Sequence, residues 1–217
     1  LIEGKDITAD EVLKRADTAM YRSKKLGGDC YAFYDPALQH IIDHRLQIER
    51  DIINAIENGQ FSAHFQPQLN VNRKIIGAEA LIRWNHPQKG PISPFHFIPV
   101  AEQSGLIHKL QDIVLRDSCA LLKRLDNHDI NDENFAVAIN ISACQFRTNL
   151  SQSLFRTLHD FDIPPNKFKL EITESMLMDD RENTIAQMKK LKQEGFQFSI
   201  DDFGTGYSSL AYLHSFP

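Results

Sequence analysis

The sequence predicts an α/β fold in which a parallel sheet or barrel alternates with helices. After Gly59, strand-like apolar runs alternate with amphipathic helical runs, and several strands end in an oxygen-bearing side chain. The predicted strands cover residues 63–69, 75–83, 135–141, 167–173 and 196–202. The predicted helices lie within residues 99–126, 147–160 and 180–194, and another begins near residue 207. A closed (β/α)8 barrel has about eight strands, so a barrel here would stop after about its fifth strand.

Composition and charge exclude several classes of protein. The chain has 217 residues, of which 42% are hydrophobic and 24% charged, as in ordinary globular proteins. A net charge of −5 gives no overall attraction to a DNA or RNA polymer or to an anionic membrane. Cys30, Cys119 and Cys144 lack paired spacing and are interpreted as free thiols in a reducing compartment. No signal peptide or membrane-spanning run is evident, so we expect a cytoplasmic protein.

The first 35 residues predict one helix and one strand. Thr8 to Glu11 form a capping-box pattern, and helical periodicity continues to Lys25, before Gly27 and Gly28. Residues 30–34 have the composition of a short strand. Because so short a segment cannot build its own core, we expect residues 1–35 to be the end of a domain whose body lies upstream.

Residues 36–59 predict a connecting helix. Apolar residues recur there at helical spacing, and the pattern ends at Asn58 and Gly59. Its apolar stripe would suit packing on the following domain or on the same helix of a second copy. The sequence leaves both packings open.

The strand that ends at Asp201 and Asp202 gives the main indication of a functional site. Two adjacent carboxylates are unfavourable unless a cation shares them. Glu79, Asn140 and Glu171 lie on three earlier strands, and strand parity and parallel topology predict that all these side chains converge. Oxygen ligands favour Mg²⁺, Mn²⁺ or Ca²⁺ over zinc, and a two-metal site suits phosphodiester hydrolysis. The alternative is that each carboxylate caps a helix or pairs with a nearby base.

The run from Glu79 to Arg83, Glu-Ala-Leu-Ile-Arg, resembles the signature of EAL domains, the phosphodiesterases that linearise cyclic di-GMP. Neighbouring blocks resemble the same family in the same order. These blocks are Gln66-Pro67, Gly77–Trp84, Asn140-Ile141-Ser142, Glu171–Glu174 and Asp201–Gly206. The resemblance covers about residues 45–217 and implies a (β/α)8 TIM-like barrel of the EAL type.

The resemblance also implies roles for individual residues. The implied metal ligands, for two Mg²⁺ or Mn²⁺ ions, are Glu79, Asn140, Glu171, Asp201 and Asp202. The implied catalytic residues are Glu79, Asp201 and Asp202, acting through a metal-activated water. The implied substrate contacts are Gln66, Leu81 and Arg83, and the donor fork of Arg83 suits a phosphate. Glu174 matches a residue that steadies the loop after the fifth strand, and that loop links the site to a dimer contact in the family.

Residues 15–24 resemble the closing helix of GGDEF domains, which make cyclic di-GMP. Together the two resemblances imply a GGDEF–EAL protein, with a GGDEF remnant at residues 1–35, a connecting helix at 36–59 and an EAL domain at 60–217. The family's general-base lysine would follow residue 217, so we expect this chain alone to be inactive. Any membrane attachment would lie upstream.

The function that we expect is metal-dependent hydrolysis of cyclic di-GMP to linear pGpG in bacterial signalling, by a homodimer that contacts through its EAL domain. Two alternatives remain open at this point. One is an inactive module that binds cyclic di-GMP, and the other is a regulator of a diguanylate cyclase.

Overall fold

The computed structural model describes residues 7–25, 27–128, 134–146, 148, 150–174, 176 and 181–201. The chain divides into two compact units, Leu1–Asp51 and Ile52–Pro217. No helix in the described ranges is both long enough and apolar enough to cross a membrane.

The first unit contains helix α1 (Ala9–Lys25) and most of helix α2 (Pro36–Glu57). The predicted start of α1 is confirmed, because the Glu11 amide donates to Thr8 Oγ1 at 3.3 Å. The predicted helix over residues 36–59 is confirmed as α2. The predicted strand at residues 30–34 is wrong, since this segment has no regular secondary structure. A strand needs a partner for its ladder hydrogen bonds, and the described residues of this unit include no other strand.

The second unit is built on one sheet. Its strands are β1 (Phe61–Leu69), β2 (Ile75–His86), β3 (Gly90–Ile92), β4 (Ala136–Asn140), β5 (Phe168–Thr173) and β6 (Gln197–Asp201). The main order is β1-β2-β4-β5-β6, and β3 pairs with β2. β1 and β2 form an antiparallel hairpin, whereas β2, β4, β5 and β6 are parallel. All five predicted strands are confirmed, and β3 is an addition too short for periodicity to reveal.

Helices follow the strands as the α/β prediction requires. They are α3 (Pro94–Ser104), α4 (Ile107–Asn127), α5 (Ala143–Phe146), α6 (Leu150–Asp160) and α7 (Arg181–Gln193), with a 3-10 turn at Pro165–Lys167. The single helix predicted within residues 99–126 is two helices. Gly105 ends α3 in the left-handed conformation, with φ of 75°, and its amide donates to Glu102 O. The helix predicted near residue 207 lies outside the described residues.

The core lies between the sheet and helices α4, α6 and α7. Along β5 the side chains of Phe168, Leu170 and Ile172 are fully buried on the face that joins this core. Because side chains alternate along a strand, Glu171 and Thr173 project from the opposite face. Packing of the helices therefore determines which face of the sheet carries the polar residues.

Candidate functional site

Parallel register brings the predicted site residues to the carboxyl ends of four adjacent strands. Asn140 at the end of β4 lies opposite Glu171 on β5. Thr173 at the end of β5 lies opposite Asp201, which ends β6. Glu79 on β2 lies opposite Ala138, so it sits deeper in the sheet than Asn140, as predicted from the sequence.

Direct hydrogen bonds fix the orientation of two of these carboxylates. Asn140 Nδ2 donates to Glu79 Oε1 at 2.9 Å, which joins residues on β2 and β4. Ser199 Oγ donates to Glu171 Oε1 at 3.1 Å, which joins β5 and β6. Glu79, Glu171 and Ser199 are half-buried, so these bonds form in a partly desolvated setting.

Electrostatics at the site disfavour a further negative charge. Burial raises the pKa of Glu171, and the nearby Glu79 carboxylate raises it further. The hydroxyl of Ser199 lowers the pKa of Glu171 by donating a hydrogen bond to its carboxylate. The charge of Asp201 raises this pKa, and the charge of Lys169 lowers it. The site is therefore poised to accept a cation that would neutralise Glu171.

The chemical type of the ligand atoms at the site suits a hard divalent cation. Glu79, Asn140 and Glu171 offer only oxygen ligands, of the type that Mg²⁺ and Mn²⁺ prefer. Within the described part of the chain, no three His, Cys, Asp or Glu side chains lie close enough to hold a metal by themselves. The structure thus brings Glu79, Asn140 and Glu171 together, leaves Asp201 exposed at the edge, and does not describe Asp202.

A cavity of about 320 Å³ opens beside these strand ends. It is lined mainly by apolar side chains of β2, β4, α3 and α4, together with Asn140 and Thr173. Two of the predicted substrate contacts, Leu81 and Arg83, line it. Such a largely apolar cavity with a few convergent polar groups is typical of a ligand site.

The remaining predicted residues lie near this edge or beyond the described residues. Gln66 is exposed on β1, directly opposite Glu79 in the antiparallel pair. Glu174 is half-buried and follows β5 immediately. The loop at residues 204–209 lies outside the described residues.

Comparison with known proteins identifies the family of this chain. The profile of the EAL domain matches residues 49–217. The chain belongs to the EAL domain family.

Two relatives of this EAL chain come from Pseudomonas aeruginosa. The bifunctional diguanylate cyclase/cyclic di-GMP phosphodiesterase MucR is 38% identical over 100% of this chain and 32% of its own length. The cyclic di-GMP phosphodiesterase NbdA is 37% identical over 96% of this chain and 27% of its own length. The chain therefore spans about a third or less of the curated relatives that it matches.

Solved EAL structures share its fold. The PaMucR phosphodiesterase in complex with c-di-GMP superposes with a TM-score of 0.72 at 39% identity, over 79% of this chain and 69% of that chain. The EAL enzyme Bd1971 with cAMP and cyclic-di-GMP bound superposes with a TM-score of 0.74 at 31% identity, over 98% of this chain and 56% of that chain. These likenesses confirm the predicted α/β fold of the EAL type.

Sequence reasoning missed two polar groups of the EAL chain's site. Strand parity puts Ser199 on the same face as Asp201, but no sequence pattern pairs it with Glu171, which lies 28 residues away. Gln145 was not singled out, although Ser142 and Gln145 have the spacing of a capping box. That spacing was the available signal, and it would have placed Gln145 directly after β4.

Proposed function

We propose that the protein is a metal-dependent phosphodiesterase that hydrolyses cyclic di-GMP to the linear dinucleotide pGpG. The observation that carries this proposal is the cluster of Glu79, Asn140 and Glu171 at the carboxyl ends of parallel strands, beside a cavity lined by Leu81 and Arg83. Relatives support the substrate, since NbdA and the 34% identical PdeR of Escherichia coli are named cyclic di-GMP phosphodiesterases.

The proposed metal ligands are those that the sequence predicts, and they suit two ions of Mg²⁺ or Mn²⁺. Glu79, Asn140, Glu171, Asp201 and Asp202 make up this set. When bound, such ions neutralise phosphate charge and lower the pKa of water. Glu79, Asp201 and Asp202 are the proposed catalytic residues, because their carboxylates hold the reacting centre.

The chain's own residues have separate tasks in this proposal. Asn140 fixes the rotamer of Glu79 through its 2.9 Å hydrogen bond, and Ser199 does the same for Glu171. Arg83 offers several N–H donors to a phosphate, while Leu81 provides an apolar surface for a base. Gln66 is the proposed third substrate contact, on the strand beside Glu79.

The broader setting is also a proposal. Residues 1–35 would end a GGDEF domain, residues 36–59 would connect it, and residues 60–217 would belong to the EAL domain. We propose a cytoplasmic homodimer whose contact depends on the EAL domain, with Glu174 steadying the loop that links this contact to the site. Any membrane anchor would belong to upstream regions.

The test is hydrolysis of cyclic di-GMP by the natural protein with Mg²⁺ or Mn²⁺, followed by chromatography of the product. We expect Glu79→Gln to reduce the rate at least about 100-fold, since it removes a charge that the reacting centre requires. Glu57→Gln is the matched control, because Glu57 is exposed on α2 and the chemical change is the same. Equal rates for Glu79→Gln and wild type would refute the assignment. Binding of the nucleotide without product would instead support a binding module.

A further inference from the structure

A buried glutamine holds the turn that follows β4. Gln145 is 2% exposed and lies in the short helix α5. Its side-chain Oε1 accepts the backbone amide of Ser142 at 2.9 Å, while the amide of Gln145 itself donates to Ser142 O at 3.1 Å. The first bond is the half of a capping box in which the side chain of the third helical residue caps the amide before the helix, and the second is a backbone turn bond. Capping alone, however, uses only the oxygen of the side chain.

The nitrogen of the same side chain reaches a different helix. Gln145 Nε2 donates to Gln111 Oε1 at 2.7 Å and to Ile107 O at 3.3 Å, and both acceptors belong to α4. Gln111 is also buried, at 8% exposed. Buried amides are costly unless they are paired, so this connection defines one spacing between α4 and the turn after β4.

The two segments that Gln145 joins both line the cavity beside the site, and they meet at this hydrogen bond. Ile107 and Gln111 line it from α4, and Ser142 and Gln145 line it from the turn. Asn140, which orients Glu79, is only two residues before Ser142. The contact that Gln145 makes with α4 therefore fixes the wall of the cavity that lies next to the carboxyl end of β4.

We propose that Gln145 is a positioning residue for the cyclic dinucleotide. It holds the β4–α5 turn against α4 and so keeps this wall of the cavity in the shape that the ligand requires. It acts through Ser142 and Gln111 rather than by chemistry of its own. This inference rests on the proposed function, since it assumes that cyclic di-GMP enters this cavity.

The test compares ligand affinity with folding stability. The affinity is measured by calorimetric titration of the natural protein with cyclic di-GMP, in EDTA to prevent turnover. The titration temperature lies well below the melting temperature of every variant. Gln145→Leu removes the amide and nearly keeps the volume. Ser118→Ala is the control, because Ser118 is also fully buried on α4 and its hydroxyl donates only within that helix, to Val114 O at 2.7 Å.

We expect Gln145→Leu to weaken cyclic di-GMP binding about tenfold, as for the loss of one to two hydrogen bonds, and Ser118→Ala to leave the affinity unchanged. Hydrogen exchange at the Ser142 amide should accelerate in Gln145→Leu alone. If both variants lower the melting temperature while both bind like wild type, Gln145 is only structural and the inference is refuted.

A second variant keeps the test decisive if Gln145→Leu fails to fold. Gln111→Leu removes the shorter of the two bonds from Gln145 to α4 and leaves the bond between Ser142 and Gln145 in place, so we expect a loss of about fivefold in affinity. Wild-type affinity in this variant would then refute the inference. A wild-type protein that binds no cyclic di-GMP would overturn the proposed function itself, and the inference with it, before any variant is compared.

Discussion

Replacing Glu171 by glutamine should show how much the charge of this carboxylate destabilises the folded protein without metal. Glu171 is half-buried on β5, and its carboxylate faces the negative charge of Glu79. Burial and this repulsion raise the pKa of Glu171 above its ordinary value of 4.5, despite the hydrogen bond from Ser199. The folded protein therefore binds the proton more tightly at this carboxyl than the unfolded chain does.

The sign of the pH effect follows from this difference in proton binding. As pH rises from about 4.5 to the raised pKa, the folded state holds the proton that the unfolded state has lost, so the free energy of unfolding decreases. Above the raised pKa, the full penalty of ionised Glu171 is present. In the absence of metal, Glu171→Gln should remove this contribution to the pH slope and raise the melting temperature at neutral pH.

A divalent cation should stabilise wild type more than it stabilises Glu171→Gln. At a free metal concentration 100 times the dissociation constant, binding stabilises the folded state by about 2.7 kcal/mol. In a unit of this size, about 1 kcal/mol shifts the melting temperature by roughly 2–4 °C, so wild type should gain about 5–10 °C. A tenfold weaker affinity in Glu171→Gln would remove about 1.4 kcal/mol of that gain, or about 3–6 °C.

Differential scanning fluorimetry over a range of pH, with EDTA or with Mn²⁺, makes both comparisons. Glu194→Gln is the matched control, because Glu194 is exposed after α7 and should change neither curve. If Mn²⁺ raises the melting temperature of wild type and of Glu171→Gln by the same amount, the assignment of Glu171 as a metal ligand is refuted. A lower melting temperature of Glu171→Gln in EDTA at neutral pH would refute the electrostatic argument.

Two further predictions concern packing and thiol reactivity. Gly77→Ala would place a Cβ atom 2.5 Å from Ala136 O, so β2 and β4 must separate. We expect the free energy of unfolding, measured with denaturant, to fall by about 1–3 kcal/mol. An unchanged unfolding midpoint would contradict the register of β2 and β4. Burial raises the pKa of Cys119 to about 12, whereas Cys30 is exposed. Alkylation of the native protein followed by mass spectrometry should therefore label Cys30 well before Cys119, and early labelling of Cys119 would show that α4 opens.

Local patterns predicted the elements that carry the site. In β5, large apolar residues alternate with Lys169, Glu171 and Thr173, and the structure buries every other side chain. Strand parity alone therefore predicts that Glu171 lies on the face opposite the core. The fold class followed from the alternation of such strands with helices. These features depend on neighbours within a few residues, which the sequence displays directly.

Two features that were missed or wrong depend on distant partners, and a third was local. Residues 30–34 have strand composition, but a strand forms only where another segment supplies ladder hydrogen bonds. The capping role of Gln145 was visible as a local spacing, whereas its bond to Gln111, 34 residues away, required the tertiary structure. The break at Gly105 was within reach of the sequence, because glycine readily takes the left-handed conformation that ends α3.

The most direct test of the proposed function is the fate of cyclic di-GMP incubated with the wild-type natural protein, with Mn²⁺ in one sample and EDTA in the other. Chromatography should show linear pGpG accumulating with Mn²⁺ and intact cyclic di-GMP with EDTA. Intact cyclic di-GMP in both samples, with binding demonstrated by calorimetry, would contradict the phosphodiesterase assignment and leave a nucleotide-binding module.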